Sequence, residues 1–230
     1  MKIVLCLNVL NEEKNIGRIL SAYHDLVDEI LIVDGGSDDR TKDIALSYPK
    51  VSVDLYPAYT EVRDGLFLNN ITRHVEYLCE WAEEVGADWV IYDDCDCIPN
   101  FLLKKQIRFV IETSLFNAIF VPRLYVYGTD KHFVNMVKPF DEYVGSLWAW
   151  NTKFKLELRE SIRHLTITNL PDKYNRTELF PPYCLLHYFA PDEETIQRKM
   201  QMQRDLVGHE VQHPLQFGGT LENLPDWAKE

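Results

Sequence analysis

The chain has 230 residues, of which 46% are hydrophobic, and its 36 acidic and 24 basic side chains give a formal net charge of −12. That acidic balance argues against a general nucleic-acid binder, because affinity for phosphate backbones depends on clustered Lys and Arg. No apolar run approaches the roughly 18 to 20 residues that cross a bilayer, and the five cysteines suit a reducing compartment better than a disulfide framework, so we expect a cytoplasmic protein without a transmembrane segment.

Apolar segments of strand period alternate with segments of helical period, a pattern typical of an α/β fold with a largely parallel sheet. In chain order, the first half predicts strand Lys2–Val9, helix Lys14–Leu26, strand Glu29–Val33, helix Thr41–Ser47, strand Val51–Tyr56, helix Leu66–Val85 and strand Trp89–Tyr92. The second half is less regular and predicts helix Phe101–Ile111, strand Ala118–Tyr127 and helix Asp192–Leu206. We expect a single domain over residues 1–230, with a Rossmann-like half at 1–97, a smaller irregular half at 98–207 and a loop-rich tail at 208–230.

Three of the predicted strands end in polar, acidic sequence. These ends are Asn8–Glu13, Asp34–Thr41 and Tyr92–Cys97. Because ligands of open α/β sheets bind outside the carboxyl ends of the strands, we expect the three segments to converge on one site. The carboxylates of Asp94 and Asp96 are hard oxygen ligands of the kind that Mg²⁺ and Mn²⁺ prefer, so the last segment predicts a divalent-cation site.

The same segments carry a resemblance to a known family. Asn11–Ile16, Ile32–Thr41 and Asp94-Cys95-Asp96, in this order and at these intervals, resemble the nucleotide-sugar half of family 2 glycosyltransferases of the GT-A fold. The match covers the Rossmann-like half. Further along, Leu185–Phe189 followed by Lys199 is similar to the distal His-Tyr segment of the lipopolysaccharide-core-like branch of that family.

The resemblance implies an enzyme that moves a sugar from a nucleoside diphosphate sugar to a hydroxyl of a glycan, lipid or protein acceptor. It also implies that the transfer is inverting and that Mn²⁺ or Mg²⁺ is the cofactor. Residues 1–97 would then be the nucleotide-sugar half and residues 98–207 the acceptor half. The nucleotide, the sugar, the acceptor and the oligomeric state stay open.

Site residues follow from the resemblance position by position. The implied nucleotide contacts are Asn11, Glu12, Asp34, Ser37, Asp38, Arg40, Asn70, Asp94 and Lys199. The implied metal ligands are Asp94, Asp96 and His187, and both carboxylates belong to the Asp-x-Asp motif of the family. A cation held there would bridge the two phosphates of the donor.

Several of these residues also have an ordinary structural interpretation. Glu12 is equally a helix-entry carboxylate favoured by the helix dipole, and Asp34 is a turn former before two glycines. For Glu12 and Asp34, only their combination favours the functional interpretation. His187, flanked by apolar residues, is equally a core histidine, and Lys199 is more ordinarily a solvated lysine of a helix.

The general base is harder to assign. An inverting transfer needs a carboxylate that takes the proton of the acceptor hydroxyl as it attacks the anomeric carbon. We favour Asp141, because Lys138–Tyr143 is a turn-like acidic segment in the acceptor half, with Glu142 and Glu160 as alternatives.

The chain departs from the family pattern before the metal strand. Many relatives carry an Arg-Asn pair where this sequence has Asn69-Asn70, so the usual base contact would need a substitute such as Arg63 or Arg73.

Two other functions remain open from the sequence. A sugar-phosphate nucleotidyltransferase would also combine a Rossmann-like half with carboxylate-bound Mg²⁺, but such enzymes open with a Gly-rich phosphate loop, and Asn8–Ile16 contains no glycine. A protein that binds a nucleotide sugar without turnover would keep the same motifs.

Overall fold

The computed structural model describes residues 1–63, 66–128, 131–134, 146–160, 166–190, 192–194, 196–197, 201 and 220–228. The strands are β1 (Ile3–Val9), β2 (Glu29–Asp34), β3 (Val51–Leu55), β4 (Tyr59–Arg63), β5 (Leu66–Asn69), β6 (Trp89–Tyr92), β7 (Cys97–Pro99), β8 (Ala118–Val121), β9 (Arg123–Tyr127), β10 (Lys131–Val134), β11 (Ser146–Asn151), β12 (Leu158–Arg159), β13 (Thr166–Ile167), β14 (Thr177–Glu178), β15 (Leu185–Ala190) and β16 (Thr220–Asn223). The helices are α1 (Ile16–Tyr23), α2 (Thr41–Leu46), α3 (Ile71–Glu84), α4 (Phe101–Thr113) and a 3-10 helix at Asp226–Ala228. None of these helices is long and apolar enough to cross a membrane.

A seven-stranded sheet in the order β14-β8-β11-β6-β1-β2-β3 forms the centre of the fold. Strands β3, β2, β1 and β6 run parallel to one another, whereas β11 is antiparallel to both β6 and β8. In the parallel register Val9 lies beside Asp34, and Cys6 lies beside Tyr92. The carboxyl ends of β1, β2 and β6 therefore meet at one edge, and the α/β prediction is confirmed.

Both faces of this sheet are covered, which explains why its strands are apolar without alternation. Successive side chains of a strand point to opposite faces. Thus Leu5 of β1 packs in the core built with α1 and α4, while Val4 and Cys6 pack against α3. The two tryptophans of β11 divide in the same way: Trp148 lies in the first core and Trp150 in the second.

A second sheet, in the order β16-β10-β9-β15-β7, continues the structure beyond the Asp-x-Asp motif. Strand β15 is parallel to β9 and antiparallel to β7, and its His187 is paired with Cys97 of β7. A residue distant in sequence is thereby placed beside the motif at the end of β6.

The predicted helix Leu66–Val85 is wrong at its start. Leu66–Asn69 forms strand β5, antiparallel to β4, and the helix begins only at Ile71. The buried side chain of Asn70 accepts a hydrogen bond from the backbone N–H of Arg73 at 3.1 Å, so it caps the first turn. Asn70 has the extended backbone of an N-cap residue. The strand therefore ends at Asn69, and the first turn of the helix follows directly after Asn70.

Two further predictions need correction. The predicted strand Ala118–Tyr127 is divided at Pro122, which has no N–H to donate to a ladder, and its halves belong to different sheets. Residues 220–228, predicted as part of a loop-rich tail, form β16 and the 3-10 helix, and Leu224 and Ala228 are buried in the core. Residues 208–219 lie outside the described residues, as does most of the predicted helix Asp192–Leu206.

The cap of α3 provides a test of this correction. Replacing Asn70 with Ala removes the cap and two further side-chain hydrogen bonds, so we expect the free energy of unfolding to fall by about 2 kcal/mol in urea denaturation. The matched control is Asn117→Ala, because Asn117 is exposed and contributes a backbone carbonyl bond that the substitution keeps. Equal losses in the two variants would contradict the capping role.

Candidate functional site

The loops that follow β1 and β2 are hydrogen-bonded to each other. Asn11 N–H donates to Ser37 Oγ at 2.9 Å, and Asp38 N–H donates to Asn11 Oδ1 at 2.9 Å. Glu12 N–H donates to Thr41 Oγ1 at 2.7 Å, which adds a third link. Asn11 adopts a left-handed backbone conformation with φ of 55°, a region that Asn tolerates better than most residues. The structure thus brings the predicted residues of the first two strand ends together in one hydrogen-bonded wall.

Asp34 and Glu12 both make the local bonds that their ordinary interpretations predict. Asp34 is buried, and its Oδ1 accepts from the backbone N–H groups of Gly36 at 2.9 Å and Ser37 at 2.7 Å. Gly36 has φ of 105°, which requires glycine. Glu12 Oε2 accepts from Asn15 Nδ2 at 2.8 Å before α1. These bonds orient each carboxyl group at the edge of the sheet without excluding a ligand contact.

Arg40, another predicted nucleotide contact, immediately precedes α2. Its backbone N–H donates to Glu13 Oε2 at 3.3 Å, which adds a further hydrogen bond between the loop after β2 and the loop after β1.

A buried ionic network lies directly behind the Asp-x-Asp motif. Asp93 is fully buried and accepts a hydrogen bond from Tyr23 OH at 2.8 Å, and Tyr23 in turn accepts from Trp148 Nε1 at 3.2 Å. Arg123 extends from β9 with one amino group 3.6 Å from Asp93 Oδ1 and the other 2.9 Å from Asp94 Oδ2. Burial raises the pKa of the Asp93 carboxyl to about 7, while the Arg123 charge acts in the opposite direction. Arg123 therefore stabilises an otherwise costly buried carboxylate and holds Asp94 in place.

Asp96 and His187 form the candidate cation site. His187 Nε2 lies 3.3 Å from Asp96 Oδ2, and with Cys97 these residues place one potential ligand atom each within 4.8 Å of one another. Burial raises the pKa of the Cys97 thiol well above its ordinary value, and a soft sulfur ligand suits Mg²⁺ and Mn²⁺ less well than carboxylate oxygen does. The Tyr125 ring, 4.9 Å from the His187 ring, packs beside the imidazole. One carboxylate oxygen and one imidazole nitrogen fit Mn²⁺ well, with further positions left for phosphate oxygens and water.

The structure brings together only part of the predicted metal set. Asp96 and His187 are adjacent, whereas Asp94 is paired with Arg123 and is not a member of the described cluster. Its side chain is 45% exposed, so it still faces the open side of the sheet edge.

Asn70 and Glu160, predicted as a nucleotide contact and an alternative base, contact each other. Asn70 Nδ2 donates to Glu160 Oε1 at 2.7 Å and to Thr60 Oγ1 at 2.7 Å. Asn70 therefore joins the β4–β5 hairpin to the start of α3, and Glu160 is held beside that helix. The other predicted residues Asp141, Glu142 and Lys199 lie outside the described part of the chain.

Sequence reasoning missed Arg123 and Tyr23. A weak signal was present: Arg123, Tyr125 and Tyr127 alternate with the buried Leu124 and Val126 along β9, which marks a polar face on an otherwise apolar strand. That this face meets the Asp-x-Asp motif depends on the pairing of β9 with β15 and β15 with β7, which local sequence does not encode.

Comparison with known proteins agrees with the geometry. Residues 5–66, which span β1, β2 and both hydrogen-bonded loops, match the family model described as glycosyl transferase family 2. This part of the chain therefore carries the sequence pattern of family 2 glycosyltransferases. No curated protein matches the sequence significantly.

Solved structures support the GT-A fold of the chain. S. aureus TarS aligns with 94% of the chain at 15% identity and a TM-score of 0.54. TarS 1-349 in complex with UDP-GlcNAc aligns with 94% at 14% identity and a TM-score of 0.52. Glucosyl-3-phosphoglycerate synthase from Mycobacterium tuberculosis, in complex with Mn²⁺ and UDP-glucose, matches 54% of the chain at 21% identity and a TM-score of 0.38, which is too low to support a common fold. The chain spans 42% of the length of TarS and 44% of the synthase.

The buried network predicts unequal effects of two arginine substitutions. Arg123→Met leaves the carboxyl of Asp93 buried without its cation, and we expect the free energy of unfolding to fall by about 3 kcal/mol or more. Arg108→Met breaks only a partly exposed pair with Asp28, so its loss should stay below about 1 kcal/mol. Urea denaturation of both variants measures the difference, and similar small losses would show that Arg123 does not stabilise Asp93.

Proposed function

We propose that this domain transfers a sugar from a nucleoside diphosphate sugar to an acceptor hydroxyl in a metal-dependent, inverting reaction. The observation that carries the proposal is the His187–Asp96 pair, 3.3 Å apart, at the sheet edge where Asp34 also ends its strand. A nucleoside and its diphosphate need two kinds of contact, hydrogen-bond acceptors for the base and ribose and a cation for the phosphates. The sheet edge offers both.

The wall formed by the first two loops is the proposed nucleoside site. The carboxyl groups of Glu12 and Asp34 can accept hydrogen bonds from a base N–H and from ribose hydroxyls. Asn11, Ser37 and Asp38 support that wall through their mutual hydrogen bonds rather than through the ligand. The wall is therefore organised before the donor binds, which lowers the entropic cost of binding.

The diphosphate is proposed to lie beside Asp96 and His187, which would hold Mn²⁺ or Mg²⁺. The imidazole favours Mn²⁺ of the two, because nitrogen ligands suit transition metals better than Mg²⁺. When bound, such a cation neutralises negative charge on the departing nucleoside diphosphate. Arg123 holds the Asp94 carboxylate beside this site through an ion pair at 2.9 Å.

The transfer step needs one proton acceptor. The acceptor oxygen bonds to the anomeric carbon from the face opposite the leaving group, the bond from that carbon to the phosphate oxygen breaks, and the hydroxyl proton moves to a carboxylate. Asp141 stays our proposed base, with Glu142 and Glu160 as alternatives. Glu160 is already hydrogen-bonded to Asn70 beside α3, which favours a role near the nucleotide half over one at the acceptor.

Nucleotide binding tests the proposal directly. A ligand at one hundred times its Kd adds about 2.7 kcal/mol to the native state, which for a domain of this size raises the melting temperature by roughly 5 to 10 °C. We expect one of UDP, GDP, CDP and dTDP to produce such a shift only with Mn²⁺, and its sugar derivative to release that diphosphate when an acceptor is added. No shift with any diphosphate would contradict the proposal, and binding without release would indicate a protein that binds nucleotide sugars without turnover.

Substitution of Asp96 tests the metal assignment. Asp96→Asn removes the ligand charge with little change of shape, and we expect the Mn²⁺-dependent shift to disappear while the melting temperature without ligand is kept. The control is Asp25→Asn, whose side chain is 94% exposed and which should leave the shift unchanged. An undiminished shift in Asp96→Asn would remove Asp96 from the metal site.

His187 distinguishes a metal ligand from a core histidine. We expect His187→Ala to raise the Mn²⁺ concentration at half-maximal effect by about tenfold or more, since even indirect partners of metal ligands contribute that much. His24→Ala, at the far end of α1, is the histidine control. A lower melting temperature with an unchanged Mn²⁺ response would assign His187 to packing alone.

A further inference from the structure

Helix α4 has an apolar face that the core does not use. Leu103, Ile107 and Ile111 recur at intervals of four residues and are fully buried against the main sheet. On the opposite side Phe101 and Phe109 also lie on one stripe, and Phe109 is 63% exposed. Single exposed apolar residues are ordinary, but two phenylalanines on the outward stripe of one helix form a surface that water disfavours.

The turn after α4 extends this surface. Leu115 is 92% exposed, and Phe116 beside it is partly exposed as well. Ser114 Oγ donates to the carbonyl oxygen of Phe116 at 2.8 Å, which fixes the turn around Leu115. The apolar tip is therefore held in place by its own hydrogen bond while its side chains point to solvent.

A second segment lies alongside α4 and adds to the same side of the molecule. Ser114 Oγ is 2.8 Å from Thr177 Oγ1 at one end of the helix, and Asn100 Nδ2 donates to the carbonyl of Pro182 at 2.8 Å at the other. Phe180 lies between these two contacts in sequence and is 59% exposed. Exposed aromatic side chains thus occur both on the helix and on the segment beside it.

The charges on α4 are unlike those of the whole chain. The helix carries Lys104, Lys105 and Arg108 against a single acid, Glu112, in a chain whose net charge is −12. The Lys105 ammonium lies 4.0 Å from the centre of the Phe101 ring, so cationic and aromatic groups are interleaved. Arg108 is paired with Asp28, so the remaining positive charge of this helix comes from the half-buried Lys104 and the exposed Lys105, and the exposed Glu112 offsets one of these two charges.

We propose that the α4 surface, formed by Phe101, Lys104, Lys105, Phe109, Leu115 and Phe116, docks on an anionic lipid bilayer. Aromatic and aliphatic side chains that enter the headgroup region, flanked by lysines that attract anionic lipids, are the two contributions that hold peripheral helices at a membrane. An acidic protein would otherwise be repelled from such a surface, so a local cationic and apolar face is what docking requires. Strand β7 begins next to Asp96 and ends immediately before the N-cap of α4, so the Phe101 end of this surface follows the candidate site closely in the chain.

Vesicle flotation tests the proposal without reference to catalysis. The probes are vesicles of phosphatidylcholine alone and vesicles in which a third of the lipid is phosphatidylglycerol. We expect the protein to float with the anionic vesicles and much less with the neutral ones, and high salt to weaken the binding. Lys104→Glu combined with Lys105→Glu should reduce binding at least tenfold, because each lysine near an anionic surface contributes about fivefold.

Apolar variants and a control complete the test. Phe109→Ser combined with Leu115→Ser should also release the protein from vesicles, with an unchanged circular dichroism spectrum. Leu46→Ser combined with Leu55→Ser replaces two other exposed apolar residues, one of α2 and one of β3, and should bind as the parent does. The proposal is overturned if the parent shows no preference for anionic vesicles or if all variants bind equally. It is also overturned if light scattering shows a dimer that only the α4 variants lose, since the surface would then bind a second copy of the chain.

Discussion

The antiparallel pairing of β15 with β7 is the constraint on which the candidate site depends. It places His187 opposite Cys97, and therefore within 3.3 Å of Asp96, although ninety residues of sequence separate the two. The same strand is hydrogen-bonded to β9, which carries Arg123. One small sheet thus supplies both the imidazole of the proposed cation site and the guanidinium that fixes Asp94.

This arrangement buries a carboxyl group, and burial of its charged form is unfavourable. Asp93 is fully buried at the end of an apolar strand, and burial is the largest cause that raises its pKa to about 7 in spite of the opposing Arg123 charge. Tyr23 and Arg123 offset that cost from two different parts of the chain, one from α1 and one from the second sheet. The first and second halves of the domain are therefore joined by a buried network as well as by apolar packing, and this network lies directly behind the Asp-x-Asp motif.

Features that depend on neighbouring residues could be predicted from the sequence, whereas features that depend on residues far apart in the chain could not. The parallel strands and the convergence of Asn11, Asp34 and Asp94 at one edge were predictable, because strand period, polar strand ends and the rule for open sheets are local signals. The start of α3 was predicted five residues too early, since the apolar run Leu66–Leu68 fits a strand and a helix equally and only the cap at Asn70 decides. The division at Pro122 and the partner of Asp93 depend on how distant strands pair, and neither is encoded within a short window.

The most direct test of the account is a crystal of the protein grown with Mn²⁺ and the diphosphate that stabilises it, with anomalous diffraction recorded to locate the metal. The account predicts an anomalous peak within coordinating distance of both Asp96 Oδ2 and His187 Nε2, with the diphosphate bound to the same ion. A peak held by Asp94 without His187, or an ion distant from the Asp-x-Asp motif, would contradict it.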